Sequence, residues 1–247
     1  MLCSSAWIRA AAVVGTALAL GLTARAAEPQ KVELKKGDRI VFLGDSITQA
    51  GVGPKGYVTM IKTALQKLHR DLKSEVIGAG ISGNKVPDLQ KRLEKDVLAK
   101  KPAIVFIYIG INDVWHGEND PKKGTPKDKF EAGLKDIIGK IKKAGAKVIL
   151  CTPSVIGEKT DGSNKNDKKL DEYAAISRRV AKDQHVPLCD LRKIFLNYLK
   201  NINFMNDSKG TLTTDGVHLN DAGNVLVANA MLDMLKPTYF KEKEKDK

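Results

Sequence analysis

From Arg39 onward, short apolar runs alternate with longer amphipathic stretches. The runs are Arg39–Leu43, Glu75–Ile77, Ala103–Ile109, Lys147–Cys151 and Val186–Cys189. They are rich in Val and Ile, whose branched side chains suit a pleated surface. Ala103–Ile109 (AIVFIYI) is apolar on both alternating faces, which predicts a central parallel strand covered on both sides. Between the runs, Tyr57–Asp71 places Val58, Ile61, Leu65 and Leu68 at spacings of three and four, as a helix with one buried face requires. Val86–Lys100, Phe130–Lys143, Leu170–Asp183 and Ala222–Leu235 carry similar patterns. Gly145 follows Phe130–Lys143, where a left-handed cap is often needed. Asn220 or Asp221 can cap the last helix, and Pro237 is expected to close it.

Strand–helix alternation repeated about five times predicts an α/β sandwich with a parallel sheet, and right-handed crossovers then place helices on both faces. His116–Asp128 and Gly157–Lys169 are polar and read as loops. Glu28–Gly37 reads as a polar lead-in, and the closing KEKEKDK as a charged, disordered tail. No internal repeat is visible. The domain expected from this pattern spans 39–236, preceded by a lead-in at 27–38 and followed by the tail at 237–247.

The first 26 residues follow a different pattern. Arg9 precedes an apolar stretch, Ala10–Leu22, and Ala24-Arg25-Ala26 has small residues at both positions of an A-x-A cleavage site. This is the layout of a secretory signal peptide. It predicts an exported protein, periplasmic or released, with no stable membrane span after cleavage. An uncleaved N-terminal anchor is the alternative, although the apolar run is short for a span. Cys3 falls within the signal. Cys151 and Cys189 each end an apolar run; export permits a disulfide between them, but two buried core thiols are the favoured reading.

Composition adds little about chemistry. The 247-residue chain carries a formal net charge of +13, but its lysines are spread over amphipathic segments such as Gln90–Lys101 and Asp136–Lys147. No arginine-rich or aromatic-interleaved run points to nucleic acid, so a solvated lysine-rich surface is expected. An anionic glycan would also suit that charge. No C-x-x-C pair or Cys/His cluster suggests a metal, and no cofactor is expected.

Ligands of an open parallel sheet bind beyond the carboxyl ends of its strands. The residues found there are Gly44-Asp45-Ser46-Ile47 after the first run, Gly80-Ile81-Ser82-Gly83-Asn84 after the second, and Gly110-Ile111-Asn112-Asp113 after the third. Asp215-Gly216-Val217-His218 precedes the last helix. A serine hydroxyl needs an adjacent base to act as a nucleophile, and His218 is a suitable one. Asp215, three residues earlier, can fold back to orient the imidazole, as in a Ser-His-Asp triad. The Ser46 and Gly83 backbone N–H groups and the Asn112 side-chain amide are candidate oxyanion donors. Each cluster alone is weak, since such tripeptides also form ordinary turns and caps.

Taken in order, the four clusters resemble the sequence blocks of the SGNH (GDSL) hydrolase superfamily. GDSIT at Gly44–Thr48, the glycine Gly83, the asparagine Asn112 and DGVHLN at Asp215–Asn220 match it, over about Arg39–Leu235, with no departure at the five key positions. GINDVWHG and Gly56-Tyr57-Val58 resemble the branch that contains acetyl-xylan and rhamnogalacturonan acetylesterase-like proteins. The resemblance implies a flavodoxin-like three-layer α/β/α sandwich with a five-stranded parallel sheet. It also implies metal-free hydrolysis of esters or thioesters through an acyl-serine. On this reading Ser46, Asp215 and His218 are catalytic, and Ser46, Gly83 and Asn112 form the oxyanion hole. The expected substrate is a small-molecule or polysaccharide ester, with a short acyl group such as acetyl on a carbohydrate. A lipase- or thioesterase-like preference for longer chains, transfer of the acyl group to a sugar, and a non-catalytic glycan-binding module are the alternatives. Trp115 and His116, just past Asn112, are candidates for a substrate wall. Asp45 is a further candidate at the site, with bonding to local backbone as its ordinary role; Asp113 is read the same way.

Overall fold

The computed structural model describes residues 30–238. The signal-peptide segment, Cys3 and the charged tail from Lys241 lie outside them. Five parallel strands form the main sheet: β2 (Arg39–Gly44), β3 (Glu75–Gly80), β4 (Ile104–Tyr108), β5 (Lys147–Cys151) and β6 (Leu188–Cys189), in the order β3-β2-β4-β5-β6. β4 is buried at every position, as its doubly apolar run requires. Phe42 on β2 stacks on Phe106 of β4, with ring centroids 4.8 Å apart, because the register places these two residues opposite one another.

The helices are α1 (Ser46–Gly51), α2 (Tyr57–Leu68), α3 (Val86–Asp96), α4 (Ile111–Trp115), α5 (Lys127–Lys143), α6 (Asp167–Asp183), α7 (Leu191–Ile202) and α8 (Asp221–Asp233). Their buried faces follow the three-and-four spacing. In α5 these are Phe130, Leu134, Ile137, Ile138 and Ile141. Asn220 caps α8 by accepting from the Gly223 N–H, and Gly145 adopts φ +86 after α5.

Beyond shifts of a few residues at element ends, the structure departs from the pattern reading as follows. Two helical stretches stop short of Asp71 and Lys100: α2 ends at Leu68 and α3 at Asp96, and 3-10 turns at Arg70–Leu72 and Leu98–Lys100 follow them. The lead-in contributes β1 (Val32–Leu34), which pairs in parallel with β7 (Leu235–Pro237) and buries Val32 and Leu34. The last helix therefore stops at Asp233, before Pro237, because Leu235 leaves it to join this small second sheet. Helix α7 is absent from the reading, although Leu191, Phe195 and Leu199 recur every four residues and are buried. Cys151 and Cys189 lie in register on neighbouring strands as buried free thiols, and burial pushes the Cys151 thiol well above its ordinary pKa. Among the described residues no helix is long and apolar enough to cross a membrane.

Candidate active site

Strand β2 turns directly into α1, and the turn carries Asp45 and Ser46. The Asp45 carboxylate accepts from the Ile47 N–H and caps the helix. Ser46 is thus the first helical residue, and its N–H is among those a helix leaves unpaired. Helix α1 lies so close to the neighbouring strand end that a Cβ on Gly80 would come within 2.2 Å of the Gln49 nitrogen. Only glycine fits there.

Asp215 and His218 come from an irregular segment between α7 and α8. The Asp215 carboxylate accepts from the His218 and Val217 N–H groups at 2.8 and 2.9 Å, and its Oδ2 lies 2.7 Å from His218 Nδ1. The opposite ring nitrogen, Nε2, lies 2.9 Å from the Ser46 hydroxyl, across 172 residues of sequence. With Nδ1–H directed at the carboxylate, Nε2 is left as the acceptor for the serine proton. Burial raises the Asp215 pKa, but the bonds from the His218 ring and from the two backbone N–H groups outweigh it. The carboxyl therefore sits below its usual range and stays ionised beside the ring.

Two of the three candidate donors come from other segments. Gly83 adopts φ +75, a left-handed conformation suited to glycine, and its N–H makes no hydrogen bond among the described residues. Asn112 is buried on α4, and its Nδ2 gives one hydrogen to the Asn84 carbonyl at 3.1 Å. The second amide hydrogen is left for a ligand. The structure thus brings Ser46, Asp215, His218, Gly83 and Asn112 to the carboxyl end of the sheet.

Asp45 is placed differently. It is 2% exposed, bonded to local backbone, and raised by burial to about 7. It underpins the turn and has no face toward substrate, which corrects its inclusion as a substrate-binding candidate. Asp113 is also buried and raised, to about 6, with burial the chief cause. It accepts from the Val86 N–H at the start of α3. Trp115 stands partly exposed at the end of α4. The His116 ring lies over Gly83, with its Cε1 3.8 Å from where a Cβ there would sit.

Two positioning groups escape the sequence reading. Arg92 on α3 donates to the Gly44 carbonyl, just before the nucleophile turn, and to Asn84 Oδ1, both at 2.7 Å. It also pairs with Asp96. One side chain therefore links the strand end below Ser46 to the loop that carries Gly83 and holds Asn112. Glu158, 0% exposed, accepts from the Thr211, Leu212 and Thr213 N–H groups and the Thr213 hydroxyl, at 2.5–2.8 Å. Thr213 in turn accepts from the Gly216 N–H. Glu158 therefore shapes the segment that presents Asp215 and His218. No local motif marks either residue; the only hints are a charged residue on a partly apolar helix and another in a polar loop. Among the described residues no group of three or more His, Cys, Asp or Glu side chains is placed to hold a metal ion.

A five-stranded parallel α/β sandwich with this constellation at its carboxyl edge defines a carboxylic ester hydrolase of the SGNH type. A profile of the GDSL-like lipase/acylhydrolase family matches residues 42–226. The chain belongs to this family. It is 32% identical to an acetylxylan esterase of Geobacillus stearothermophilus, over 81% of this chain and 95% of that protein. A solved acetyl xylan esterase, AlAXEase, superposes with a TM-score of 0.77 at 47% identity, covering 79% of this chain and 98% of its own. The solved Geobacillus enzyme, Axe2, superposes at 0.73 with 30% identity, covering 82% and 96%. Three variants of Axe2 described as catalytic mutants replace a serine, an aspartate and a histidine with alanine.

Proposed function

We propose that the protein is an exported acetylesterase that removes acetyl groups from an acetylated carbohydrate, with Ser46 as nucleophile. The observation that carries this reading is the unbroken relay from Asp215 Oδ2 through the His218 ring to Ser46 Oγ, at 2.7 and 2.9 Å. The acetylxylan esterases to which the chain is similar support the choice of acyl group and alcohol.

Ser46 Oγ attacks the ester carbonyl carbon as its proton passes to His218 Nε2. The carbonyl oxygen gains the negative charge and accepts from the Ser46 N–H, the Gly83 N–H and the free Asn112 amide hydrogen. Such fixed donors act most strongly where charge develops. Asp215 stabilises the imidazolium that forms. The tetrahedral intermediate then expels the sugar oxygen, which takes the proton from His218, and leaves acetyl-Ser46. Water, deprotonated by His218, attacks this ester, and acetate leaves as Ser46 recovers its proton.

The test compares acetylated xylo-oligosaccharides with 4-nitrophenyl esters of graded chain length, alongside a fluorophosphonate probe of the reactive serine. Faster turnover of acetyl than octanoyl esters, with labelling lost in Ser46→Ala, is expected. Preference for octanoyl esters would replace the acetylesterase reading with a longer-chain acylhydrolase. Export is proposed from the A-x-A pattern ending at Ala26. Terminal sequencing of the exported protein checks it, with Ala27 expected as the first residue.

A further inference from the structure

Beside the oxyanion donors lies a cleft of about 580 Å³, lined by Lys85, Trp115, His116, Asp120, Lys122 and Lys123, among others. It adjoins the site through His116, whose ring edge lies near Gly83, and through Lys85, two residues beyond that glycine. The cleft is a built feature. The Lys85 ammonium donates to the Lys123 carbonyl at 2.7 Å and ties the loop after α4 back to the Gly83 segment. Asp120 accepts from the Lys122 N–H and caps a 3-10 turn at Pro121–Lys123.

The charges facing the cleft are unequal. Three lysines and one carboxylate, Asp120, line it, and the charge of Asp88 also reaches the His116 ring. Asp88, on the next turn of chain, lies within salt-bridge distance of Lys91. Among the described residues neither Lys122 nor Lys123 has an ion-pair partner. Trp115 exposes 37% of its surface, an uncommon exposure for a large aromatic unless it meets something. His116 has its pKa lowered by burial and by Lys85. A neutral ring offers one donor and one acceptor to hydroxyl groups.

We infer that this cleft receives a sugar bearing a carboxylate, so that the substrate is an acidic, uronic acid-containing acetylated glycan rather than a neutral one. The inference rests on the acetylesterase reading and narrows it. The apolar face of a pyranose stacks on Trp115, its hydroxyls meet His116, and its carboxylate lies among Lys85, Lys122 and Lys123. A neutral sugar satisfies the first two and leaves the lysines without a counter-charge. The formal net charge, +13 for the full chain and +11 once cleavage after Ala26 removes Arg9 and Arg25, adds long-range attraction for such a polymer.

The experiment measures kcat/KM at low ionic strength for acetylated xylo-oligosaccharides of equal length, with and without a uronic acid branch, with 4-nitrophenyl acetate alongside. The acidic substrate is expected to be favoured about three- to ten-fold, mainly through KM, since exposed charge pairs contribute modestly. Added salt should shrink the preference as it screens the lysines, and the double variant Lys122→Glu/Lys123→Glu should abolish or reverse it. Trp115→Ala should raise KM for both oligosaccharides. Equal kcat/KM for the two substrates, or a preference that persists in the double variant, overturns the inference while 4-nitrophenyl acetate turnover leaves the esterase reading standing. Failure to hydrolyse any acetyl ester would sink that reading first, and this one with it.

Discussion

The two halves of the active site are built by opposite means. The serine half is local. A strand ends, an aspartate caps the next helix, and the nucleophile follows within a few residues. The histidine half is an irregular segment between α7 and α8, where the described chain forms one isolated bridge, Thr213 to Leu219. Besides its own turns, it is held by one buried carboxylate, Glu158, more than fifty residues away in sequence, which accepts from three of its N–H groups. Regular secondary structure can place a nucleophile because its backbone bonds satisfy themselves. An irregular segment that is partly buried must find partners elsewhere for its N–H groups. The difference locates fragility: the serine side should tolerate loss of a supporting side chain better than the histidine side.

The reference point for that comparison is loss of the nucleophile itself. Ser46→Ala should lower kcat by about 10⁴-fold or more, with the thermal midpoint nearly unchanged. Steady-state kinetics and a melting curve check both parts. A variant with nearly normal turnover would remove Ser46 from the chemistry.

Next comes the support of the histidine side. In Glu158→Gln an amide nitrogen must replace one carboxylate oxygen, so a donor faces the backbone N–H groups. An unsatisfied buried group costs about 1–3 kcal/mol. The melting temperature should therefore fall by several degrees. The loss of His218 placement should lower kcat by about 10²-fold, in line with the effect of a misplacement of about an ångström. If the variant loses stability but keeps full kcat, Glu158 supports the fold without positioning the catalytic segment.

On the serine side, Arg92→Ala removes the link between the Gly44 carbonyl and Asn84. A smaller fall in kcat, about ten-fold, is expected with KM little changed, because the turn and helix cap remain. Lys, with one ammonium, can reach only one of the two partners and should restore part of the activity. A larger kcat loss than in Glu158→Gln would reverse the proposed order of the two halves.

The smallest effect on turnover concerns Asp45. Its folded pKa of about 7 lies above the ordinary aspartate value because burial disfavours the charge. The folded state therefore holds the proton more tightly than the unfolded chain. The corresponding stability is fully present below about pH 4 and is lost as pH rises through about 7. Asp45→Asn, which keeps an acceptor for the Ile47 N–H, should be more stable than the parent at pH 8 and closer to it at pH 4. Denaturant unfolding at the two pH values measures the difference. A parent–variant gap that does not widen with pH would mean that Asp45 does not titrate in this way.

Much of the fold was legible because its signals are periodic. β5 runs over Lys147–Cys151, as its apolar run predicts, and α5 and α6 lie where their patterns place them, each beginning three residues earlier than its predicted first residue. Helix α7 was legible in principle, through Leu191, Phe195 and Leu199, with Asp190 as its cap. The pairing of β1 with β7 was not. Two three-residue segments some two hundred residues apart, each ordinary alone, become strands only when brought side by side.

By itself, the sequence determined which residue types stand at the carboxyl ends of the strands, since those positions follow from local pattern: Ser46 after β2, Gly83 after β3, Asn112 after β4 and the Asp215–His218 pair before α8. Only the tertiary structure decided what supports them. It set the reach of Arg92 across two loops, the burial of Asp45 away from substrate, and the grip of Glu158 on a distant segment. It also set the basic cleft beside Gly83. Periodicity reports how a residue meets its near neighbours along the chain. Hydrogen bonds and charge clusters between distant segments depend on distances that folding alone creates, and no local pattern encodes them.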